Sequence, residues 1–288
     1  MHPLSRKELL NQAMNSGGTR LLPKVQHLES VTLASYPRTG NTMLRDYIEK
    51  ISRIYTGSDI IGYEELELLK KEKEDSKKKP KSESSTPINQ IQNAQGTTDS
   101  IFSPEKFLAV FNDFRMSLNL FLKESGLDGE GLVGKEVWIA RTHFPNLPSF
   151  KEYQVQKCVL IIRNPLDVVH SYFHNMGSKT HHQSMTQEDV QKKQYLLDEM
   201  IPMFIEDFNA FYDFWLNHEI PIHLIRYEDI LENPVKELTN LFKFLLEIED
   251  TSEIGLEQKV YNVVHGKCSS SSHGYFRFHI WLFLSNEI

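Results

Sequence analysis

Hydrophobic positions in this chain come in short runs, each followed by turn residues and, in most cases, by a segment with helical spacing. Four runs read as strands: Val31–Tyr36, Val137–Ala140, Lys157–Ile162 and Ile222–Ile225. The third is apolar almost throughout, as expected of a strand covered on both faces. Helices are expected after the first, third and fourth. After the first, Met43, Leu44, Tyr47, Ile48 and Ile51 repeat on one helical face. Asn164-Pro165 and Asn233-Pro234 each offer a side-chain cap and then a proline, which suits a first helical turn because its missing N–H would have had no partner there. Farther along, Phe204, Phe208, Phe211 and Trp215 are spaced by four, three and four residues. That stripe reads as core rather than as a platform for a cofactor ring. Strands alternating with helices predict an α/β fold, a single domain with a mostly parallel central sheet flanked by helices. The domain is expected to take in residues 1–288, with its core at about 27–250.

One segment breaks the pattern. Lys70 to Lys81 holds seven lysines and three acids, and polar residues dominate from there to about Ser100. So little apolar surface cannot offset the entropy of ordering the chain, and a disordered insertion is expected at 70–100. No repeat of fixed period is present, which excludes a solenoid.

Composition narrows the function. At 40% hydrophobic and 25% charged residues, the chain has the balance of a soluble globular protein. Its net charge of −7 argues against nucleic acid as a partner, so a site for an anion must be a local concentration of donors. Cys158 and Cys268 are too few for a disulfide framework and lack zinc-site spacing. They predict free thiols and a cytoplasmic location. No apolar run has the length of a signal peptide or membrane segment.

The chemistry begins after the first strand, at Ser35-Tyr36-Pro37-Arg38-Thr39-Gly40-Asn41-Thr42. A loop that opens a helix aims free amides and the positive end of the helix dipole at one spot, which suits phosphate or sulfate. Gly40 allows close approach, Arg38 adds fixed charge, and Thr39 and Thr42 carry hydroxyls. The paired glycines and Gly-Lys-Ser/Thr ending of nucleotide triphosphatases are absent, which weakens a kinase reading. Taken alone, the loop serves equally well as the capping turn of a structural helix.

A second element follows in CVLIIRNPLDVVHSYFH. Here Arg163 ends a buried strand, and Ser171, eight residues on, shares a helix face with Asp167. Arg163 and Ser171 can converge on a second phosphate at the sheet's carboxyl edge, where open α/β sheets bind ligands. The competing reading is an ordinary ion pair between Arg163 and Asp167. His170 and His174 stand four apart on the same helix, and no acid or cysteine completes a metal site with them.

Together these segments resemble the sulfotransferase family that uses 3'-phosphoadenosine 5'-phosphosulfate (PAPS). Its loop Tyr-Pro-Lys-Ser-Gly-Thr-Thr holds the 5'-phosphosulfate, and an Arg…Ser pair at this spacing holds the 3'-phosphate. Arg141-Thr142-His143-Phe144-Pro145 is similar to the family's Lys-Thr-His-Leu-Pro, and Arg226-Tyr227-Glu228-Asp229 with Glu232-Asn233-Pro234 to its Tyr-Glu-Asp…Glu-Asn-Pro. The resemblance spans about Val31 to Leu246 and implies a P-loop-containing nucleotide-hydrolase-like fold. It also implies catalytic roles for His143, the base, and Arg38, at the sulfuryl group. Arg38, Thr39, Gly40, Asn41, Thr42, Met43, Arg163, Ser171 and Tyr227 would bind the donor, Tyr227 near the adenine. The acceptor would be a small molecule, carbohydrate or peptide with a hydroxyl or amine, no metal would take part, and a homodimer stays open. Three features depart from the pattern: Arg38 replaces the usual lysine, Met43 replaces a tryptophan that stacks on adenine, and the C-terminal segment that closes over the 3'-phosphate has no counterpart. Two alternatives remain, a module that binds 3'-phosphoadenosine nucleotides without turnover and a P-loop-like small-molecule kinase.

Overall fold

A computed structural model of the chain describes residues 6–22, 29–59, 129–134, 137–146, 153–178 and 185–266. All belong to one compact unit formed by Met1–Ile60 and Leu122–Ile288, whereas Ile61–Phe121 lies outside the described residues, and with it the insertion expected at 70–100. The elements run α1 (Arg6–Met14), β1 (Val31–Ser35), α2 (Asn41–Ser52), β2 (Gly57–Ser58), β3 (Ile139–Thr142) and β4 (Lys157–Ile162). They continue with α3 (Pro165–Ser178), α4 (Gln187–Leu216), β5 (Ile222–Arg226), α5 (Tyr227–Glu232), α6 (Pro234–Leu246), a 3₁₀ turn (Ser252–Ile254) and α7 (Leu256–Val264).

The five strands form one parallel sheet in the order β2-β3-β1-β4-β5. Alternation along the strands sends side chains into two cores. Leu33, Val159 and Ile161 join Leu44 and Ile48 of α2 and Phe242 of α6 on one face, and Ala34, Cys158 and Leu160 join Val168 and Phe173 of α3 and Phe211 of α4 on the other. Cys158 is wholly buried, and burial pushes its thiol up to about 12. Cys268 lies outside the described residues.

β1, β4 and β5 stand where their apolar runs predict. β3 instead starts two residues later than Val137 and extends through Arg141 and Thr142, both buried, because those polar side chains have partners inside the protein. The aromatic stripe of α4 is core: Phe204, Phe208, Phe211 and Trp215 are buried, and the first three pack edge-on around Tyr36 with ring centroids 5.3 to 5.8 Å away. Asn164 Oδ1 accepts the Leu166 amide at 3.0 Å, as expected of a cap. Asn233 makes no such bond, because it is also the closing residue of α5, with its N–H given to Asp229 O at 2.8 Å.

The sheet fixes where chemistry can sit. β1 has β3 on one side and β4 on the other, so the chain's direction across the sheet reverses there. The crevice beyond the carboxyl ends of such strands is where α/β sheets take ligands. Tyr36 to Gly40, His143 and Arg163 follow β1, β3 and β4 at that crevice. Among the described residues no helix is long and apolar enough to cross a membrane.

Candidate active site

The loop after β1 is held in shape by its own groups. Thr39 gives its hydroxyl to Tyr36 O at 2.7 Å and its amide to the same oxygen at 3.3 Å, so both its donors are spent inside the turn. Arg38 and Gly40 adopt left-handed backbones, φ 73° and 98°. Alternation of this kind curves successive amides around one point, an anion-binding nest. The amides of Gly40, Asn41, Thr42 and Met43 have no acceptor among the described residues, and α2 begins at Asn41, so its positive end faces the same point. Thr42 is half-buried there, and Met43 packs against the core of α2 and α6 rather than standing as a free platform.

Gly40 is required by contact as well as by φ: a Cβ on it would stand 2.4 Å from Tyr227 Cδ2. Tyr227, the first residue of α5, lies against the loop, and its ring also carries the Arg163 guanidinium, 4.5 Å from the ring centroid. Arg163 Nη1 donates to Arg38 O at 3.2 Å, and Arg38 Nε donates to Ser171 Oγ of α3 at 2.9 Å. Arg38, Arg163, Ser171 and Tyr227 thus form one cluster. The ion pair considered for Arg163 and Asp167 is not made. Among the described residues neither guanidinium has a carboxylate partner, and Arg163 Nε is sealed from water without an acceptor. Burial and then the neighbouring Arg163 charge lower the pKa of Arg38. Two uncompensated cations side by side repel each other, and an anion placed between them removes that cost.

His143 follows β3 directly and is buried. Its Nδ1 lies against the carbonyl oxygen of Ser35, with Ser35 Oγ at 3.3 Å. A carbonyl oxygen can only accept, so Nδ1 carries the proton and Nε2 holds the free lone pair. Burial first, and the Arg141 cation next, push the imidazole down to about 3, so it is neutral at physiological pH. Asn41 Nδ2 donates to Ser35 Oγ at 2.8 Å, which ties the start of α2 to the residue that orients the histidine. From the other side Trp215 Nε1 donates to Phe144 O at 2.8 Å.

A buried ionic network beneath His143 is absent from the sequence-based expectations. Arg45 of α2 donates to Thr56 Oγ1 at 2.7 Å and pairs with Glu130, which also meets Arg141 at 3.4 Å. Burial raises the Glu130 carboxyl, but the Arg141 and Arg45 charges outweigh it and hold the group near about 2. Glu49 accepts from Thr56 N at 2.9 Å, and burial raises its carboxyl to about 7 against the pull of Arg45. Thr142 gives its hydroxyl to Asp59 at 2.6 Å and accepts the Phe144 amide at 3.0 Å, fixing the turn that carries His143. One signal was present in the sequence: Arg45 and Glu49 stand four apart next to the apolar positions Leu44 and Ile48. Of the α3 histidines, His170 is exposed and His174 half-buried, with rings 4.9 Å apart. Among the described residues no three His, Cys, Asp or Glu side chains converge on a metal site. A cleft lined by Asn233, Lys236, Lys243 and His265 contains none of the loop residues.

At the switch point of the parallel sheet the described residues thus bring together free loop amides, two guanidinia with no carboxylate partner among the described residues, and a neutral histidine of fixed tautomer. A model of the sulfotransferase domain matches residues 28–266. The chain belongs to the sulfotransferase family, enzymes that take a sulfuryl group from PAPS. No curated protein matches it. Solved structures similar to it include mouse sulfotransferase SULT7A1 complexed with PAP (3'-phosphoadenosine 5'-phosphate), at 16% identity over 93% of this chain and 73% of that one, TM-score 0.40. Retinol dehydratase in complex with androsterone and the inactive cofactor PAP shares 17% identity over 90% and 78%, TM-score 0.38. A sulfotransferase domain from the curacin biosynthetic pathway shares 15% over 80% and 77%, TM-score 0.34. These low scores add nothing to the family match.

Proposed function

We propose that this sulfotransferase moves the sulfuryl group of PAPS onto a hydroxyl or amine of a small molecule, carbohydrate or peptide, with His143 as general base. The observation that carries this reading is the pairing at one sheet edge of unbonded loop amides and uncompensated arginines with a histidine whose Nε2 is left as a proton acceptor. PAPS supplies a sulfuryl group already bonded to a good leaving group, the 5'-phosphate of PAP. The amides of Gly40, Asn41, Thr42 and Met43, with the Thr42 hydroxyl, receive the 5'-phosphosulfate and stabilise charge growing on the leaving phosphate. Thr39 serves by shaping the loop. Arg163 and Ser171 receive the 3'-phosphate, and Arg38 adds positive charge to the donor site. Tyr227 stands by the adenine, with Met43 below it as packing.

As the acceptor oxygen or nitrogen bonds to sulfur and the bond from sulfur to the leaving phosphate breaks, the acceptor's proton passes to His143 Nε2. Catalysis of this kind rests on alignment and charge stabilisation, and in this reading no metal is needed. A pKa near about 3 makes the imidazole a weak base in the ligand-free protein, and the negative charge of a bound donor beside it raises its basicity. The paucity of cysteines fits a cytoplasmic location.

The test is transfer of label from PAPS to a panel of phenols, alcohols, amines and sugars. Labelled product is expected with at least one class. Tight PAP binding with no transfer across a broad panel would support a non-catalytic module instead, and ATP binding with no preference for a 3'-phosphate would support a kinase.

A further inference from the structure

We propose that Asp59 is a positioning residue for the transfer reaction: through the Thr142 hydroxyl it fixes the turn that carries His143, and with it the place where Nε2 meets the acceptor's proton. The inference rests on the reading of His143 as the base and names a side chain that acts on the reaction only through that histidine.

β3 ends at Thr142, so His143 and Phe144 lie past the last register of the sheet and need other bonds to hold their backbone. Asp59, the residue after β2, supplies them from 83 positions earlier than Thr142. Its amide donates to Arg141 O at 3.1 Å, which continues the pairing of β2 with β3. Its carboxylate reaches one residue farther, where Oδ2 accepts the Thr142 hydroxyl at 2.6 Å, a length typical of a hydroxyl bonded to a carboxylate. A hydroxyl has one proton, and once Asp59 holds it only lone pairs are left on the other side. Thr142 Oγ1 turns these to the Phe144 amide at 3.0 Å, so the bond from Asp59 locks a small turn across His143. Ser35 O holds the ring at Nδ1, but a ring gripped at one nitrogen can still pivot about it. The backbone of the turn therefore decides where Nε2 stands. Asp59 is 2% exposed, and a buried carboxylate is unfavourable to desolvate. Holding β2 to β3 needs only its amide. The carboxylate bonds the hydroxyl next to the base, with Arg141 as the neighbouring cation.

The experiment is single-turnover transfer from pre-bound labelled PAPS to the acceptor of the above panel that gives product, using the whole chain at a temperature where every variant is folded. Displacing a reacting group by about 1 Å can slow a reaction by about 10²-fold. Asp59→Ala, and Thr142→Val, which keeps the shape of threonine without its hydroxyl, should each slow transfer by about 10- to 100-fold while PAP affinity changes by less than about twofold. Thr142→Ser, which keeps the hydroxyl, should recover most of that rate. Because the two residues act through one bond, the double variant should be within about twofold of the slower single one. In a His143→Ala background, Asp59→Ala should change the rate by less than about twofold. A further fall of about tenfold or more in that background, or a wild-type rate in Asp59→Ala, would overturn the inference while leaving His143 as the base. A wild-type rate in His143→Ala alone would overturn the reading of His143 itself, and the inference with it.

Discussion

The carbonyl oxygen of Ser35 accepts the Nδ1 proton of His143, so the last residue of β1 sets the tautomer of the side chain that follows β3. The loop after β1 starts at the next residue, Tyr36. The proposed base and the proposed anion site therefore share one backbone anchor, and whatever shifts the loop also shifts the histidine.

Buried against that carbonyl and beside the Arg141 cation, His143 stays neutral down to a pH of about 3. With the neutral form as the proposed base, activity is expected above this pKa and lost as pH falls through it. The acid limb of kcat/KM is expected below pH 5, well under the 6.5 of a free imidazole, whereas the limb of kcat, which reports the donor complex, lies higher. The same shift affects folding. Between about pH 6.5 and 3 the unfolded histidine binds a proton that the folded one refuses, so stability falls as pH falls across that window. Rate profiles with parallel thermal melts check both statements; an acid limb of kcat/KM centred near 6.5 would contradict the buried, cation-flanked site.

Glu130 joins Arg45 to Arg141 beneath His143. Removing one partner of a buried charge group leaves the others uncompensated, and Glu130→Ala should cost about 3–5 kcal/mol in chemical unfolding. The carboxyl's depressed pKa means that its contribution is fully present above about 4.5 and lost as pH falls toward about 2. A loss under about 1 kcal/mol at neutral pH would show that the network does not hold β3 to α2.

At Gly40 two constraints coincide, the left-handed φ of 98° and the Tyr227 ring 2.4 Å from where a Cβ would stand. Gly40→Ala should cost about 1–2 kcal/mol for the backbone alone. It should also displace the ring that carries Arg163, so PAP affinity is expected to fall at least about tenfold by titration. Arg163→Lys, which keeps the charge but not the planar stack, should weaken PAP in the same way without lowering the melting temperature comparably.

The sequence was legible where local physics decides the outcome. The apolar runs mark β1 and β4 because a central parallel strand must be apolar on both faces; β5, at the sheet's edge, is marked by its short run alone, with Leu224 exposed. The aromatic stripe on α4 declares itself core by spacing alone. The end of β3 is not legible in the sequence because Arg141 and Thr142 look like the start of a loop until Glu130 and Asp59, from other parts of the fold, supply their partners. The missing cap at Asn233 has a similar cause: one residue closes α5 and opens α6, and its backbone is set by the first task. Within the site the motifs indicated which residues matter, but not how they face. By sequence Thr39 offers a hydroxyl to a ligand, but in the fold it spends that donor on Tyr36, while Arg38 reaches Ser171. Side-chain direction depends on the left-handed backbone of the loop, which no residue other than Gly40 announces.

The central claim, that His143 takes the acceptor's proton during sulfuryl transfer, is tested most directly by single-turnover transfer from pre-bound labelled PAPS in the wild type and in His143→Ala. The transfer rate is expected to fall about 10²- to 10⁴-fold with PAP affinity unchanged within about twofold. Transfer at the wild-type rate in His143→Ala would contradict that claim and remove His143 from the mechanism.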